Sequence, residues 1–356
     1  MVKLRLLIIA PRFGSIGRGV EVFVREFIRN LDSDSLEVTI LSGPHSQNAN
    51  GSYFVMRNLL CREKTMAGLW QLLSRLPARL YLGSTDIESL TLMLHSNAFL
   101  RESNFDIIMP FGGSWTYRFA NYHKKSARII AVGHAGPVLS ELKHSDFFVA
   151  VTPTDAVLVQ DICPDIPTKV IPNGVDTFRF IEPVSREVRQ EKVILCSAAL
   201  TDGKGHELLF DAVWKLDSTT RLLCAGRGPL KDALTRHPLA QAERVKFVEV
   251  SPDQMPHFYQ TADAFSLASP METFGLVFLE ALACGLPVVA HDGPRQRFVV
   301  GETGFFCDVH DSCSYAYALR QALQSPPDMR RRAHAETFQW DQILREYHKV
   351  FASLVS

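Results

Sequence analysis

The chain has 356 residues, 46% of them hydrophobic, enough for two cores of ordinary size. Lys plus Arg and Asp plus Glu each number 38, so no global charge recruits nucleic acid or a membrane. Seven cysteines (Cys61, Cys163, Cys196, Cys224, Cys284, Cys307 and Cys313) form no C-x-x-C pair, and this odd, scattered set reads as reduced thiols of a cytoplasmic protein.

The apolar stretch in Met1–Ala10 is too short for a signal-peptide core and reads as the first strand, Leu4–Ala10. A helix over Gly19–Leu31 and strands at Glu37–Leu41, Asp106–Pro110, Ile129–Val132 and Phe147–Val151 follow. A second set of strands is expected at Lys169–Ile171, Val193–Ser197, Arg221–Ala225, Val245–Val248, Ala264–Ala268 and Val288–Ala290. Strand–helix alternation of this length predicts parallel sheets with helices on both faces, in two doubly wound domains. Each would bind ligand beyond the C-terminal ends of its strands. Pro172-Asn-Gly-Val-Asp176 is strong turn chemistry, and the domain boundary is placed there. No run reaches the ~18 apolar residues of a membrane-spanning helix.

Three segments carry chemistry. The loop Pro11–Glu21, between the first strand and first helix, holds Gly14, Gly17 and Gly19, which suits a phosphate or sugar cradle and equally a plain turn. His134 stands between glycines at a strand end, placed for a ligand or simply satisfied within its loop. The third segment, Ser269–Ala290, is the most informative. Gly275 and the helix formers from Leu276 to Ala283 place Glu272, Thr273, Phe274 and Gly275 at a helix N-terminus, where N–H groups lack helical partners and the dipole is positive. Glu280 lies one turn further in, among Phe278, Leu279, Ala281 and Leu282. Taken alone, the pair could be a dipole partner and a solvated helix residue. An ionised carboxylate on so apolar a helix is costly unless something polar meets it, which favours a functional role.

Glu272 and Glu280 stand eight residues apart. The segment resembles the E-x7-E motif of retaining glycosyltransferases of the GT-B fold, family 4 (glycosyl transferases group 1), and the similarity extends over most of the chain. The family's Gly-Gly-x-Glu is matched by Arg18-Gly19-Val20-Glu21, with arginine for one glycine, and Pro172–Asp176 matches its Pro-Asn-Gly-Val-Asp hinge. Ala225-Gly226-Arg227-Gly228-Pro229 resembles its nucleotide-lining Gly-x-Gly-Pro loop, and Phe338-Gln339-Trp340 the start of its last helix, where core packing accounts for the residues. The family's Gly-Arg-Leu…Lys-Gly run appears as Ala198-Ala199-Leu200-Thr201-Asp202-Gly203-Lys204-Gly205, so the diphosphate-clamping arginine is replaced by Ala199. Lysine neutralises phosphate but lacks the bidentate geometry of arginine. Either Arg18 or Arg227 substitutes, or the diphosphate is held more weakly. Glu249 stands where many members have a glycine near the base.

The resemblance implies two Rossmann-like domains facing across a cleft: an acceptor-side domain over 1–172, a nucleotide-sugar domain over 173–335, and a helix over 336–356 crossing back. It implies a hexosyltransferase that moves sugar from a nucleotide diphosphate sugar, a UDP-sugar by family frequency, to a hydroxyl acceptor, with retention and without a metal or organic cofactor. His134, Glu272 and Lys204 are carried over as catalytic residues. Gly17, Arg18, Gly19, Gly226, Arg227, Thr273, Phe274, Gly275, Leu276 and Glu280 are carried over as donor-binding. Two alternatives stand: a nucleotide-sugar 2-epimerase of the same fold, and an inactive GT-B binding partner, which the loss of arginine at Ala199 motivates. The stretch 54–82 contains Trp70 and five basic residues against Glu63, net +4, and suits either a solvated acceptor-domain helix or peripheral contact with an anionic membrane.

Overall fold

The computed structural model describes residues 3–13, 19–32, 34–43, 52–55, 84–183 and 190–356. The chain divides into two compact units, Met1–Pro172 with Ile343–Ser356, and Asn173–Gln342.

The first unit contains β1 (Leu4–Ala10), β2 (Leu36–Ser42), β3 (Ser52–Val55), β4 (Ile107–Pro110), β5 (Arg128–Val132), β6 (Phe147–Ala150) and β7 (Thr168–Val170). They form one sheet in the order β3-β2-β1-β4-β5-β6-β7, with every pairing parallel. Parallel neighbours need crossovers rather than hairpins, and helices then cover both faces, which is why Leu6, Leu7, Ile8 and Ile9 are all buried. The order reverses between β1 and β4, so the loop after β1 leaves from a topological switch point. The helix Trp340–Val355 packs here: the Tyr347 ring meets Phe27 edge-on at a centroid separation of 4.9 Å.

The second unit contains β8 (Lys192–Ser197), β9 (Thr220–Ala225), β10 (Val245–Val248), β11 (Ala264–Leu267), β12 (Val288–His291) and β13 (Phe305–Cys307), ordered β10-β9-β8-β11-β12-β13 and again all parallel. Its switch point lies between β8 and β11, where Phe265 pairs with Leu195. The loops after these two strands are Ala198–Gly205 and Ala268–Gly275, the segments singled out by their residues. Within this unit, Gly174 lies against the Trp340 ring, where a Cβ would have no room, and the Val175 N–H donates to the Phe338 carbonyl at 2.9 Å. Phe338 and Trp340 are buried, as core packing requires.

The expected strand at Lys169–Ile171 belongs to the first sheet, not the second: β7 pairs with β6, Ala150 opposite Val170, and the chain leaves the first unit only after it, at Pro172. Strands β3 and β13 lie outside the expected set; both are short, and β13 emerges from a glycine-bounded turn, Gly301–Gly304. Apart from Cys61, which lies outside the described residues, the cysteines are free, and burial pushes the Cys196 and Cys307 thiols up to about 12. No helix among the described residues is long and apolar enough to cross a membrane.

Candidate active site

The site is built at the C-terminal ends of β8, β9 and β11 in the second unit. After β8, the Ala198 N–H donates to the Ala225 carbonyl at 3.1 Å and the Leu200 N–H to the Arg227 carbonyl at 3.0 Å. The two loops are zipped so closely that a Cβ on Gly226 would run into the Ala198 carbonyl oxygen. Glycine at 226 is therefore a packing requirement. His206 fixes the same loop from behind, with Nε2 3.0 Å from the Ala199 carbonyl oxygen. Burial holds the His206 imidazole below its ordinary range, with the nearby Lys204 charge a lesser cause. Nε2–H donates to this carbonyl whether the ring is neutral or charged, and it is burial that favours the neutral form.

The loop after β11 is tied to the first by the Ser269 hydroxyl, which donates to the Gly203 carbonyl at 3.1 Å. Gln296 steadies it by donating to the Ser269 carbonyl at 3.2 Å. These ties bring Lys204 Nζ within 2.6 Å of a Glu272 carboxylate oxygen. Both side chains keep some exposure, 32% for lysine and 16% for glutamate, so the pair stands at a surface that solvent or ligand reaches.

Gly275 caps the helix Leu276–Ala283 with φ +78°, a left-handed conformation that L side chains rarely adopt, and a Cβ there would also press on the Phe278 ring. The helix buries Phe278, Leu279, Ala281, Leu282 and Ala283. Its first-turn amides lie at the end where an α-helix leaves N–H groups without helical partners. Phe274 is buried, its ring 6.2 Å from that of Phe338, so only its backbone is offered to a ligand. Thr273 and Leu276 are half-buried. Glu280 receives the polar partner that its apolar helix demands: the Tyr259 hydroxyl donates to its carboxylate at 2.6 Å. Tyr259 is fully buried and also hydrogen-bonds Ser197 at the end of β8. Burial first, and the Glu280 charge second, raise its phenol well above the ordinary range, so it stays a donor.

The structure thus brings Lys204 and Glu272 into contact, sets Gly226 against the loop that leads to Lys204, and holds Glu280 by a buried tyrosine. Arg227 is exposed on the Gly226 loop. Gly17 and Arg18 lie outside the described residues; Gly19 opens the helix Gly19–Asn30, and among the described residues nothing stands within 4 Å of where its Cβ would be. His134 belongs to the first unit, at the end of β5. Its ring packs on Phe23 and Phe111 at 4.3 and 5.7 Å, its Nε2 is shielded without a hydrogen-bond partner among the described residues, and burial pulls it down to about 3. It is a neutral imidazole in an aromatic nest.

Tyr259, His206 and Gln296 were not expected at the site. Tyr259 reads as one more apolar residue of the helix Met255–Thr261, and the available signal was the general need of a buried phenol for a partner.

The two doubly wound parallel sheets give the chain the GT-B fold. Residues 177–340, within the second unit, match the family described as "Glycosyl transferases group 1". The chain is similar to D-inositol 3-phosphate glycosyltransferase of Corynebacterium diphtheriae, 31% identical over 58% of this chain and 56% of that one. It is also 32% identical to the GDP-mannose-dependent alpha-(1-6)-phosphatidylinositol monomannoside mannosyltransferase of Mycolicibacterium smegmatis, over 46% of this chain and 48% of the other. The chain thus spans about half the length of these curated relatives. Among solved structures, sucrose-phosphate synthase from Thermosynechococcus elongatus superposes with a TM-score of 0.80 at 16% identity, covering 99% of each chain. Anabaena HepE in complex with UDP-glucose superposes at 0.71 and 17% identity, covering 98% of this chain and all of that one. At such identities these structures speak for the fold alone.

Proposed function

We propose that the chain is a retaining glycosyltransferase of family 4, moving a sugar from a nucleoside diphosphate sugar to a hydroxyl acceptor without a catalytic metal ion. The observation that carries this reading is the meeting of Lys204 and Glu272 at 2.6 Å beside the N-terminus of the helix that bears Glu280. In the proposed complex, Glu280, held by Tyr259, accepts the ribose hydroxyls, and the first-turn amides with Glu272 hold sugar hydroxyls. Lys204 turns from Glu272 to the leaving diphosphate, where negative charge builds during transfer and a fixed donor is worth most. Arg227 is proposed to take over from the missing arginine, because its own backbone carbonyl accepts from Leu200, next to Ala199. His134 is neutral at physiological pH and is proposed to donate a hydrogen bond rather than a charge. No residue is assigned as a base.

A uridine diphosphate sugar is proposed as donor, and HepE is a neighbour solved with UDP-glucose. A GDP-sugar is the competing donor, which the name of the mycobacterial relative carries. The acceptor is proposed to be a glycan, glycolipid or small polyol, in line with relatives named for inositol phosphate, phosphatidylinositol mannoside and lipopolysaccharide core. No nucleic acid partner is proposed. A lipid-borne acceptor would suit a cytoplasmic enzyme touching an anionic membrane through 54–82, of which 56–82 lie outside the described residues.

A second reading, an inactive nucleotide-binding partner, is favoured by the exposed Ala199 in place of arginine. Incubation with UDP- and GDP-sugars separates the readings. Slow release of nucleoside diphosphate by hydrolysis is the result expected of a transferase. A converted sugar would indicate an epimerase, and tight binding with neither outcome, across donors and acceptors, would refute the enzyme.

A further inference from the structure

We propose that the ends of β12 and β13 form a binding site for one divalent transition-metal ion, Zn²⁺ being the best match, built from His291, Asp308 and His310. His291 is the last residue of β12, and the parallel register sets it opposite Cys307, the last residue of β13. The chain then supplies Asp308 and His310 from the turn that follows. One ligand atom from each of the three side chains lies within 4.8 Å of the others. The two imidazoles stand 5.9 Å apart between centroids and nearly perpendicular, at 82°, so they approach a common point from different directions.

Three features argue for a ligand rather than a chance surface cluster. Among the described residues His291 Nδ1 is shielded from solvent and has no hydrogen-bond partner, an unusual state for a polar atom. The carboxylate is aimed by its own turn: the His310 N–H donates to Asp308 Oδ1 at 3.0 Å, and His310 Nδ1 lies 3.0 Å from the same oxygen. The two other acids nearby already have work. Asp292 accepts from Arg297 at 2.9 Å, and Asp311 caps the helix Ser312–Gln324 by accepting from the Cys313 N–H at 2.9 Å. Among the described residues the Asp308 carboxylate is bonded only to its fellow candidate ligand His310, and it completes the trio.

Two imidazoles and one carboxylate are the donor set of an open zinc site, with water completing the tetrahedron. Zinc bonds of ~2.0–2.2 Å put tetrahedral donors ~3.4 Å apart, so closure asks for small side-chain rotations of groups that are mostly exposed. Imidazole donors favour zinc, copper or nickel over magnesium or calcium, which take oxygen ligands. The ion would clip β12 to the turn after β13, its first-neighbour strand at the sheet edge, and stabilise the fold of the second unit. It stands on β12 and β13, to one side of the β8–β11 switch point, and shares no residue with the proposed transfer, so metal binding is read independently of the proposed activity.

The test uses the full chain, stripped with chelator and titrated with Zn²⁺ by calorimetry and with Co²⁺ by visible absorption. The expected result is one saturable event per chain, a tetrahedral cobalt spectrum and a higher melting temperature with zinc, all lost in His291→Ala and in His310→Ala. Magnesium should leave the melting temperature unmoved. Asp308→Asn and His310→Ala change exposed residues and keep the test valid should His291→Ala fail to fold. Absence of saturable binding in the wild-type chain, or binding that persists in His310→Ala and Asp308→Asn, would overturn the site.

Discussion

Replacing Tyr259 by Phe removes one oxygen from the interior of the second unit, and the structure says what that oxygen does. The phenol donates to the Glu280 carboxylate at 2.6 Å, and Tyr259 has no exposed surface through which water could take its place. A hydrogen bond to a charged group contributes about 1.5–3 kcal/mol net. For a domain of this size each kcal/mol moves the melting temperature by about 2–4 °C, so Tyr259→Phe should lower it by about 3–12 °C. The control is a double-mutant cycle with Glu280→Gln, measured by denaturant unfolding, where contacting groups show coupling of about 0.5–3 kcal/mol. Donor affinity should fall as well, since Glu280 loses the group that orients it. A Tyr259→Phe chain as stable as wild type, or a coupling energy near zero, would refute the claim that the tyrosine holds this carboxylate.

Lys204→Ala should separate binding from stability. A partly exposed ion pair contributes about 0–1 kcal/mol, so the unfolding curve should barely move, while affinity for nucleoside diphosphate should drop at least about tenfold, that is 1.4 kcal/mol. A large loss of stability with unchanged affinity would make Lys204 a structural residue. Gly226→Ala pushes a methyl group into the Ala198 carbonyl and should destabilise the second unit by about 1–3 kcal/mol, read by denaturant unfolding; wild-type stability would contradict the zipped loops. Glu141, in the first unit, has its carboxyl raised by burial from 4.5 to about 7. The folded chain therefore holds a proton that the unfolded chain gives up, and this contribution is full below about pH 4.5 and lost as pH rises through about 7. Glu141→Gln should stabilise the chain at pH 8, by about 1–3 kcal/mol, and do so far less at pH 5, as followed by unfolding at both values. An equal effect at the two values would rule out a buried ionisable carboxyl.

Local pattern made the alternating strands and the helix carrying Glu280 readable, because parallel strands buried on both faces leave short apolar runs punctuated by turn residues. The placement of β7 was not readable, since a three-residue strand beside a turn says nothing about which sheet it joins. The need of Glu280 for a polar partner could be argued from its neighbours, but not the partner itself: Tyr259 lies 21 residues away and meets it only through the fold. The same holds for His206, whose contact with the Ala199 carbonyl depends on how the loop doubles back. His291 and His310 come together through strand register, a relation that spacing along the chain does not express.

The central claim is that the helix Leu276–Ala283 receives a nucleoside diphosphate sugar through Glu280. Calorimetric titration of the wild-type chain, Glu280→Ala and Glu280→Gln with UDP-glucose and GDP-mannose tests it most directly. The account predicts saturable binding of one donor class by the wild type and loss of that binding in both variants, with each variant still melting cooperatively. Unchanged affinity in a folded Glu280→Gln chain would contradict it.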